Sequence, residues 1–309
     1  MYDLTIIGGG PAGTSVAVYA ARKRLKSVLI TQEWGGQSNV SEDVQNWIGI
    51  PHISGTDLGK AFEAHVREYS EDVVDIVSPA KVTKVERIDQ DGQQSFKVTT
   101  EKGETYESKA VFLGVGSARR KLPAKGADTF EHKGLTYCAT CDGPLFSGRD
   151  VVVIGGGNAG FETAAQLLAY ARSVTLLEFN EKFLADEVTV EKLTKNENFK
   201  AIPNVEIVEV TGEAFVSGIT YKSRENGEET KLPTGGVFVE IGMIPNTDMV
   251  KDLVELTERN QIKVDPYTQR TSIEGVWAAG DATDGRYHQN NIASGDAVKA
   301  IEDMYGFIR

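Results

Sequence analysis

Two cysteines and the residues around them are the first candidates for chemistry in this chain. Cys138 and Cys141 are its only thiols, and they lie within "YCATCDG" (137–143) at the spacing of one helical turn. Such a pair has three interpretations: a structural disulfide, half of a zinc site, or a redox couple that opens and closes. Zinc is the weakest of the three interpretations. A structural zinc site takes four ligands, and apart from these two cysteines the chain offers four histidines and no second cysteine pair.

Composition narrows the class of protein. With 309 residues, 40% of them hydrophobic and 25% charged, the chain is typical of a globular protein long enough for two domains. A net charge of -12 argues against a nucleic-acid partner, which requires a basic surface. The first residues enter a strand pattern without the regions of a signal peptide, and no apolar run reaches membrane-spanning length. We therefore expect a cytoplasmic protein with no membrane partner, and a reducing compartment disfavours a structural disulfide.

One strand–turn–helix plan occurs twice in the chain. Residues 2–30 and 149–177 each run from a β-branched strand through a triple glycine into a helix with small residues and then a second strand. In that context G-x-G-x-x-G indicates dinucleotide binding, because its glycines allow a tight turn, close approach of a pyrophosphate and helix packing. The helix N-terminus then faces the diphosphate. The predicted contact residues are Gly8, Gly10, Pro11, Ala12 and Gly13 in the first copy, and Gly155, Gly157 and Gly160 in the second.

The acid at the end of the second strand of each copy helps to identify the nucleotide. Glu178 closes "VTLLE", where an acidic side chain accepts from a ribose 2′-hydroxyl and repels a 2′-phosphate. The following "FNEKF" offers Lys182 but no arginine. We therefore expect NADH at the second copy and consider NADPH disfavoured. In the first copy the equivalent position is Thr31 or Gln32, and Glu33 just beyond is the candidate ribose contact.

A third motif lies near the C-terminus. Residues 271–305 read as a strand, Gly280-Asp281, a short loop and a helix that begins near Asn290 or Asn291. This "GD" before a helix resembles the second flavin fingerprint of the two-dinucleotide-fold disulfide reductases. "CATCDG" resembles the redox motif of their low-molecular-weight thioredoxin reductases, and the motifs follow that family's order up to residue 305.

The resemblance implies an α/β fold with two Rossmann-like dinucleotide-binding domains. One is a split FAD-binding domain formed by residues 1–115 and 246–309, and the other, residues 116–245, is a pyridine nucleotide-like domain that carries the redox disulfide. The family also implies a homodimer. Beside the first glycine motif and Glu33, the FAD contacts implied by the resemblance are Gly36, Gln37, Asn46, Gly280, Asp281, His288 and Gln289.

The resemblance and the motif together assign roles to the redox residues. At a helix start, the helix N-terminus lowers the pKa of the first thiol, so we expect Cys138 to attack the substrate disulfide. Cys141 is then expected to lie against the flavin and take its electrons. Asp142 matches the family's acid and is expected to protonate the departing thiolate, a role that requires a raised pKa. The alternative for Asp142 is an acid of the first helical turn favoured by the helix dipole.

The electron donor remains open at this point. "TLLEFNEKFLADEV" and "CDGPLF" are more similar to the flavoprotein subunit of alkyl hydroperoxide reductase, which takes electrons from NADH. That subunit carries an N-terminal thioredoxin-like extension, so we expect this chain to need a separate carrier. Histidine before Gln289 and "GVG" at 114–116 depart from the thioredoxin reductase pattern and admit a pyridine nucleotide-independent branch, with ferredoxin docking at "ARRK" (118–121).

The leading hypothesis is an FAD-dependent protein-disulfide reductase of the thioredoxin reductase type. Its acceptor would be thioredoxin or a thioredoxin-like protein, and its donor, in order of preference, NADH, ferredoxin or another non-nucleotide donor, and NADPH. A hypothesis from another class is a flavin-bound redox sensor whose dithiol exchanges once and stops. It ranks lower, because the sequence adds no DNA-binding element or regulatory domain.

Overall fold

The computed structural model describes residues 1–41, 43–90 and 93–309. Of the residues in its helices and strands, it leaves the side chains of Val40, Asp89, Gln90, Gln93, Thr140 and Cys141 undescribed. Contacts between Cα atoms divide the chain into two compact units. The first comprises Met1–Val40, Trp47–Ala118 and Ile244–Arg309, and the second comprises Ser41–Asn46 and Arg119–Met243. The nucleotide assigned to each domain, with its boundaries at 115/116 and 245/246, stays a prediction.

Strands supply the larger share of the regular elements. In chain order they are β1 (Tyr2–Gly9), β2 (Ser27–Trp34), β3 (Val74–Val77), β4 (Val82–Gln90), β5 (Gln93–Thr100), β6 (Thr105–Leu113), β7 (Ser117–Arg119), β8 (Leu135–Thr136), β9 (Asp150–Ile154), β10 (Ser173–Leu177), β11 (Phe199–Ile202), β12 (Val205–Gly212), β13 (Val216–Ser223), β14 (Glu229–Pro233), β15 (Gly236–Val239), β16 (Met243–Pro245) and β17 (Val276–Ala278).

The helices range from single turns to a long C-terminal helix. They are α1 (Pro11–Arg22), α2 (Gly55–Ser70), α3 (Ala127–Phe130), α4 (Ala139–Asp142), α5 (Asn158–Leu167), α6 (Glu187–Thr194) and α7 (Asn290–Ile308). Short 3₁₀ turns occupy Gly36–Val40, Gly143–Phe146 and Asp248–Val250. Among the described residues, no helix has both the length and the apolar character that a membrane crossing requires.

The first unit is built on a sheet with strand order β3-β2-β1-β6-β5-β4, and β17 also pairs with β6. β3, β2, β1, β6 and β17 run parallel, whereas β4 and β5 are antiparallel additions. Successive side chains of a strand point to opposite faces. Leu4 and Ile6 thus pack on the face that α1 and α7 cover, and Ile7 packs on the other face. Burial on both faces explains why β1 reads as a continuous apolar run.

The second unit repeats the parallel core with strand order β11-β10-β9-β15-β8. Alternate residues of β9 enter two different apolar clusters: Val151 and Val153 pack with Phe161 of α5, and Val152 and Ile154 pack on the opposite face. β12, β13 and β14 form a separate antiparallel sheet. In each unit three successive strands lie in reverse order across the sheet, β3-β2-β1 in the first and β11-β10-β9 in the second, and a later strand, β6 or β15, lies beside the first of the three. This is the order of a dinucleotide-binding half.

The two segments in which the chain passes between the units pair with each other. β7 and β16 form a two-stranded ribbon. On one side of it the Asn246 N–H donates to the Gly116 carbonyl at 3.0 Å, and on the other the Arg120 N–H donates to the Gly242 carbonyl at 3.1 Å. Both passages are therefore held by main-chain hydrogen bonds.

The C-terminal aromatic residues pack the last helix. The Phe307 ring lies edge-on to Trp277 with 5.3 Å between ring centroids. The Tyr305 ring lies between two cations, with the Lys23 Nζ 4.5 Å and the Arg309 Cζ 4.3 Å from its centroid. These contacts fix α7, and α7 in turn covers the face of the sheet that holds the first glycine turn.

The packing of α1 against its glycine turn predicts a sharp difference between two glycine substitutions. A Cβ at Gly13 would lie 1.8 Å from the Gly8 carbonyl oxygen, whereas a Cβ at Gly295 in α7 would meet nothing within 4 Å. We expect Gly13→Ala to lower the free energy of unfolding of the first unit by about 2 kcal/mol or more. Gly295→Ala should raise it by up to about 1 kcal/mol, since glycine costs that much in a helix. Denaturant unfolding followed by circular dichroism measures both, and equal midpoints for the two variants would contradict the packing described here.

Candidate functional site

The first glycine turn places a helix N-terminus directly behind a strand. Gly8 has a φ of +111°, and a Cβ there would lie 2.2 Å from the Gly114 carbonyl oxygen, so that only glycine fits. Gly10 precedes α1 and Pro11 is its first residue, at the position where the missing N–H of proline costs nothing. The remaining N–H groups of the first helical turn have no partner within the helix, which makes this end suitable for a phosphate.

A cavity of about 580 Å³ opens beside this turn within the first unit. Nine of the predicted FAD contacts line it: Gly8, Gly10, Pro11, Ala12, Glu33, Gly36, Gln37, Gly280 and Asp281. Gly280 and Asp281 follow β17, and Asn290, the first residue of α7, lies on the same cavity. Three segments that are far apart in sequence therefore meet at the carboxyl edge of one sheet.

The other predicted FAD contacts lie elsewhere. Gly13 packs against Gly8, and Gln289 caps α7. The His288 Nδ1 lies 3.5 Å from the Asp281 Oδ1. Asn46 belongs to Ser41–Asn46, which groups with the second unit, and it is not among the residues that line the cavity. Their roles toward FAD stay predictions.

Sequence patterns missed part of the cavity wall. Lys81, Thr83, Asn260 and the segment 244–249 also line it. The Asn246 Nδ2 donates to the Val115 carbonyl at 3.0 Å, which ties that segment to the loop after β6. No local motif marks these residues, because Lys81 and Thr83 come from around the start of β4 and residues 244–249 reach the cavity through the return of the chain from the second unit.

The residues of this cavity fit FAD. A Cβ at Gly10 would have the Gly35 carbonyl oxygen, 3.9 Å away, as its nearest neighbour, so a side chain there would project into open space beside the helix N-terminus. Asp281 offers a carboxylate to the hydroxyls of a ribityl chain, and Gln37 offers an amide donor and acceptor to a flavin ring. A glycine turn suited to the diphosphate and polar side chains in the same lining match the needs of the cofactor.

The second glycine turn has the same construction. Gly155 has a φ of +115°, and a Cβ there would lie 2.3 Å from the Glu240 carbonyl oxygen. A Cβ at Gly160 would lie 1.8 Å from the Gly155 carbonyl oxygen, whereas one at Gly157, before α5, would meet nothing within 4 Å. The open side at Gly157 leaves room for the close approach of a pyrophosphate, so this turn fits a pyridine nucleotide.

Glu178 lies at the end of β10, against this second turn. Its side chain is buried, and one carboxylate oxygen accepts from the Gly156 N–H. The other oxygen accepts from the Asn180 backbone N–H at 2.7 Å and from the Asn180 side-chain amide. Three donors leave about one of the four acceptor positions of a carboxylate for a ribose hydroxyl.

The redox motif lies at the start of a short helix, with Cys138 immediately before α4. Cys138 is half-buried and disulfide-bonded, whereas the side chain of Cys141, the only other cysteine of the chain, lies outside the described residues. α4 is one turn long and continues as a 3₁₀ turn, because Pro144 disfavours the α conformation at Gly143.

Asp142 is held beneath this turn. Its N–H donates to the Cys138 carbonyl at 3.0 Å, and its buried carboxylate accepts from the Thr136 hydroxyl. Thr136 belongs to β8, at the edge of the parallel sheet of the second unit. The carboxylate is thus fixed relative to the motif by a side chain two residues before the first cysteine.

Tyr137, next to Cys138, does not serve as an acid near neutral pH. Burial raises the pKa of Tyr137 to about 12, and the charge of Glu131 and a hydrogen bond to it act in the same direction. Its ring packs in the core beside Leu135 and Phe130. Tyr137 therefore stays a neutral phenol that anchors the motif.

A buried carboxyl lies next to the second glycine turn. The Glu240 side chain accepts from the Thr163 hydroxyl at 3.0 Å and pairs with the Arg119 Nη1 at 3.5 Å. Burial raises the pKa of Glu240, and the charge of Arg119 and the Thr163 hydrogen bond partly oppose that shift. Sequence patterns gave no signal for this cluster, since its members come from three separate elements: β7, α5 and the end of β15.

Among the described residues, no group of three or more His, Cys, Asp or Glu side chains is arranged to hold a metal ion.

Comparison with known proteins identifies the family. The family model of the pyridine nucleotide-disulphide oxidoreductases matches residues 2–297. The chain belongs to this family. A solved thioredoxin reductase from Streptococcus pyogenes MGAS5005 superimposes with a TM-score of 0.88 at 33% identity, covering 100% of this chain and 98% of that one. The expected α/β fold with two Rossmann-like domains and the expected class, a flavin disulfide oxidoreductase, are confirmed.

Two curated relatives are longer proteins. They are the "NADH dehydrogenase" of Bacillus subtilis (strain 168) and the F subunit of alkyl hydroperoxide reductase of Staphylococcus aureus (strain Mu50 / ATCC 700699). Each is 38% identical over 307 residues, 99% of this chain. The chain spans 58% of the length of the first and 59% of the length of the second. The family implies FAD and a pyridine nucleotide as cofactors.

The raised pKa of Glu240 predicts a pH-dependent effect of its isosteric amide. A carboxyl with a raised pKa in the folded state stabilises the fold below its ordinary value of 4.5 and loses that contribution as the pH rises through the raised pKa. We therefore expect Glu240→Gln, which keeps an acceptor for Thr163, to gain thermal stability over the parent as the pH is raised from 4.5 toward 8. Thermal unfolding of both proteins over this range tests it, with Glu206→Gln, on an exposed position of β12, as the control. A difference independent of pH would contradict the assignment.

Proposed function

We propose that this chain is an FAD-dependent protein-disulfide reductase that takes electrons from NADH and passes them to thioredoxin or a thioredoxin-like protein. The observation that carries the proposal is the disulfide-bonded Cys138 immediately before a single helical turn, in the unit that also holds the second glycine turn. The balanced reaction is NADH, one proton and an acceptor disulfide giving NAD⁺ and two acceptor thiols. The structural neighbour named thioredoxin reductase supports the choice of acceptor.

The residues of the motif divide the exchange between them. When bound, FAD would supply a two-electron carrier between the nucleotide and the disulfide. After reduction, the Cys138 thiolate attacks one sulfur of the acceptor disulfide, and the other acceptor sulfur leaves with a proton from Asp142. Cys141 then displaces the second acceptor sulfur and restores the disulfide with Cys138. Thr136 holds the Asp142 carboxylate in place for its step.

Two observations support NADH as the donor. Glu178 sets a carboxylate at the end of β10, a ribose acceptor that repels a 2′-phosphate. A relative that is 38% identical carries the name NADH dehydrogenase. The alternative donor, ferredoxin, is less well supported. Two of the cations in "ARRK", its predicted docking site, already have acidic partners: Arg119 pairs with Glu240 at 3.5 Å, and Lys121 pairs with Glu131 at 2.8 Å.

The donor is tested by anaerobic reduction of the flavin. We expect NADH to bleach the flavin absorbance within seconds, and NADPH at the same concentration to do so more slowly. Dithionite serves as the control that the flavin is reducible. If dithionite bleached it and neither nucleotide did, the donor would not be a pyridine nucleotide and ferredoxin would be tested next.

The two cysteines are tested by separate serine variants. We expect Cys138→Ser and Cys141→Ser each to remove turnover of a thioredoxin disulfide while NADH still reduces the flavin, because the nucleophile and its resolving thiol are both required. Cys138→Ser should retain a flavin–thiolate absorbance band, since it leaves Cys141 as the remaining thiol. Retention of that band by Cys141→Ser instead would reverse the two roles.

The number of thioredoxin molecules reduced per flavin separates an enzyme from a redox sensor. An enzyme reduces many of them, whereas a sensor exchanges once and stops.

A further inference from the structure

An aromatic ring is exposed immediately after the predicted ribose acceptor. Phe179 follows Glu178 at the end of β10, and its side chain is 53% exposed, whereas Leu177 before the acid is 1% exposed. An exposed phenyl ring offers a flat apolar face on which another ring can stack.

An arginine from a distant strand lies on that ring. Arg224 is the first residue after β13, and its Cζ lies 3.9 Å from the centroid of the Phe179 ring. Its Nη1 donates to the Phe179 carbonyl at 2.8 Å. The Arg224 N–H donates to the Asn204 carbonyl at 2.9 Å, and the Asn204 N–H donates to the Asn180 carbonyl at 2.8 Å. The guanidinium is therefore tied to the loop after β10 through both its side chain and its main chain.

Among the residues that the structure describes, the charge of this guanidinium is not used in an ion pair. Throughout the ranges that the structure describes, no carboxylate lies within 4.0 Å of the Arg224 nitrogens. Arg224 is exposed, so part of its side chain is open to solvent. An exposed, flat cation on an exposed phenyl ring is a surface on which a purine base stacks well.

We propose that Phe179 and Arg224 form the adenine platform of the second nucleotide site. The proposal rests on the proposed function, in which this unit binds a pyridine nucleotide. Base and ribose belong to one nucleoside, so a ribose on Glu178 brings its adenine to the neighbouring surface, where these two side chains lie. A contact to a 2′-phosphate is the less favourable role for Arg224, because the Glu178 carboxylate repels that group and one guanidinium nitrogen is already bound to the Phe179 carbonyl.

Binding of ADP-ribose, which carries the adenosine half without the nicotinamide, tests the platform apart from electron transfer. Isothermal titration calorimetry on the FAD-loaded protein should show that Arg224→Ala raises the Kd by about tenfold, the effect of losing one stacking partner. Arg224→Lys should lose nearly as much, because an ammonium has no flat face. Phe179→Ala should weaken binding similarly. Arg172→Ala is the matched control, since this exposed arginine of the same unit pairs with Asp150 at the opposite, amino end of β9.

A second probe and a rate distinguish the alternatives. Flavin reduction by reduced nicotinamide mononucleotide, which lacks adenosine, should proceed at the parent rate in Arg224→Ala, whereas reduction by subsaturating NADH should slow about tenfold. An unchanged Kd for ADP-ribose in Arg224→Ala, or a loss confined to 2′-phospho-ADP-ribose and rescued by Arg224→Lys, would overturn the platform. ADP-ribose binding that depends on Arg224, in a protein whose flavin NADH does not reduce, would uphold the platform while the proposed donor failed.

Discussion

The contact on which both nucleotide units depend is the one between the first and third glycines of each fingerprint. A Cβ at Gly13 or at Gly160 would lie 1.8 Å from the carbonyl oxygen of Gly8 or Gly155. This closeness lets each helix start directly behind its strand, with its N–H groups at the carboxyl edge of the sheet. The cavity of the first unit and the acid of the second are both arranged around that edge. Any side chain at these positions would separate helix from strand and move the binding groups with them.

The glycine turn has the same construction in both units but different surroundings. In the first unit it opens onto a cavity of about 580 Å³ that is also lined by the loop after β17 and by the returning segment 244–249. In the second unit the acid at the end of β10 is buried against the turn and bonded to the Gly156 N–H. One turn therefore faces a cavity lined by several segments, and the other has a buried carboxylate against it. Residues outside the repeat, rather than the repeat itself, create that difference.

The redox motif lies at a helix of only one turn, and hydrogen bonds from outside that helix hold its acid in place. One α turn is followed by a 3₁₀ turn, while the Thr136 hydroxyl holds the Asp142 carboxylate and the Asp142 N–H holds the Cys138 carbonyl. Neutral Tyr137 anchors the segment in the core. The position of the acid relative to the cysteines thus depends on β8 and the core, and less on the helix in which the acid lies.

Local patterns in the sequence by themselves determined the family, the α/β class, the two glycine turns, the single pair of cysteines and the start of the last helix, because each is set by residues only a few positions apart. Tertiary structure alone decided which distant residues meet them. It grouped Ser41–Asn46 with the second unit, carried segment 244–249 to the first cavity, joined Glu240 to Arg119 and laid Arg224 on Phe179. The physical reason is that these contacts depend on strand order and on where the chain re-enters each sheet. Those features follow from burial of whole sheet faces and leave no periodicity at the residues concerned.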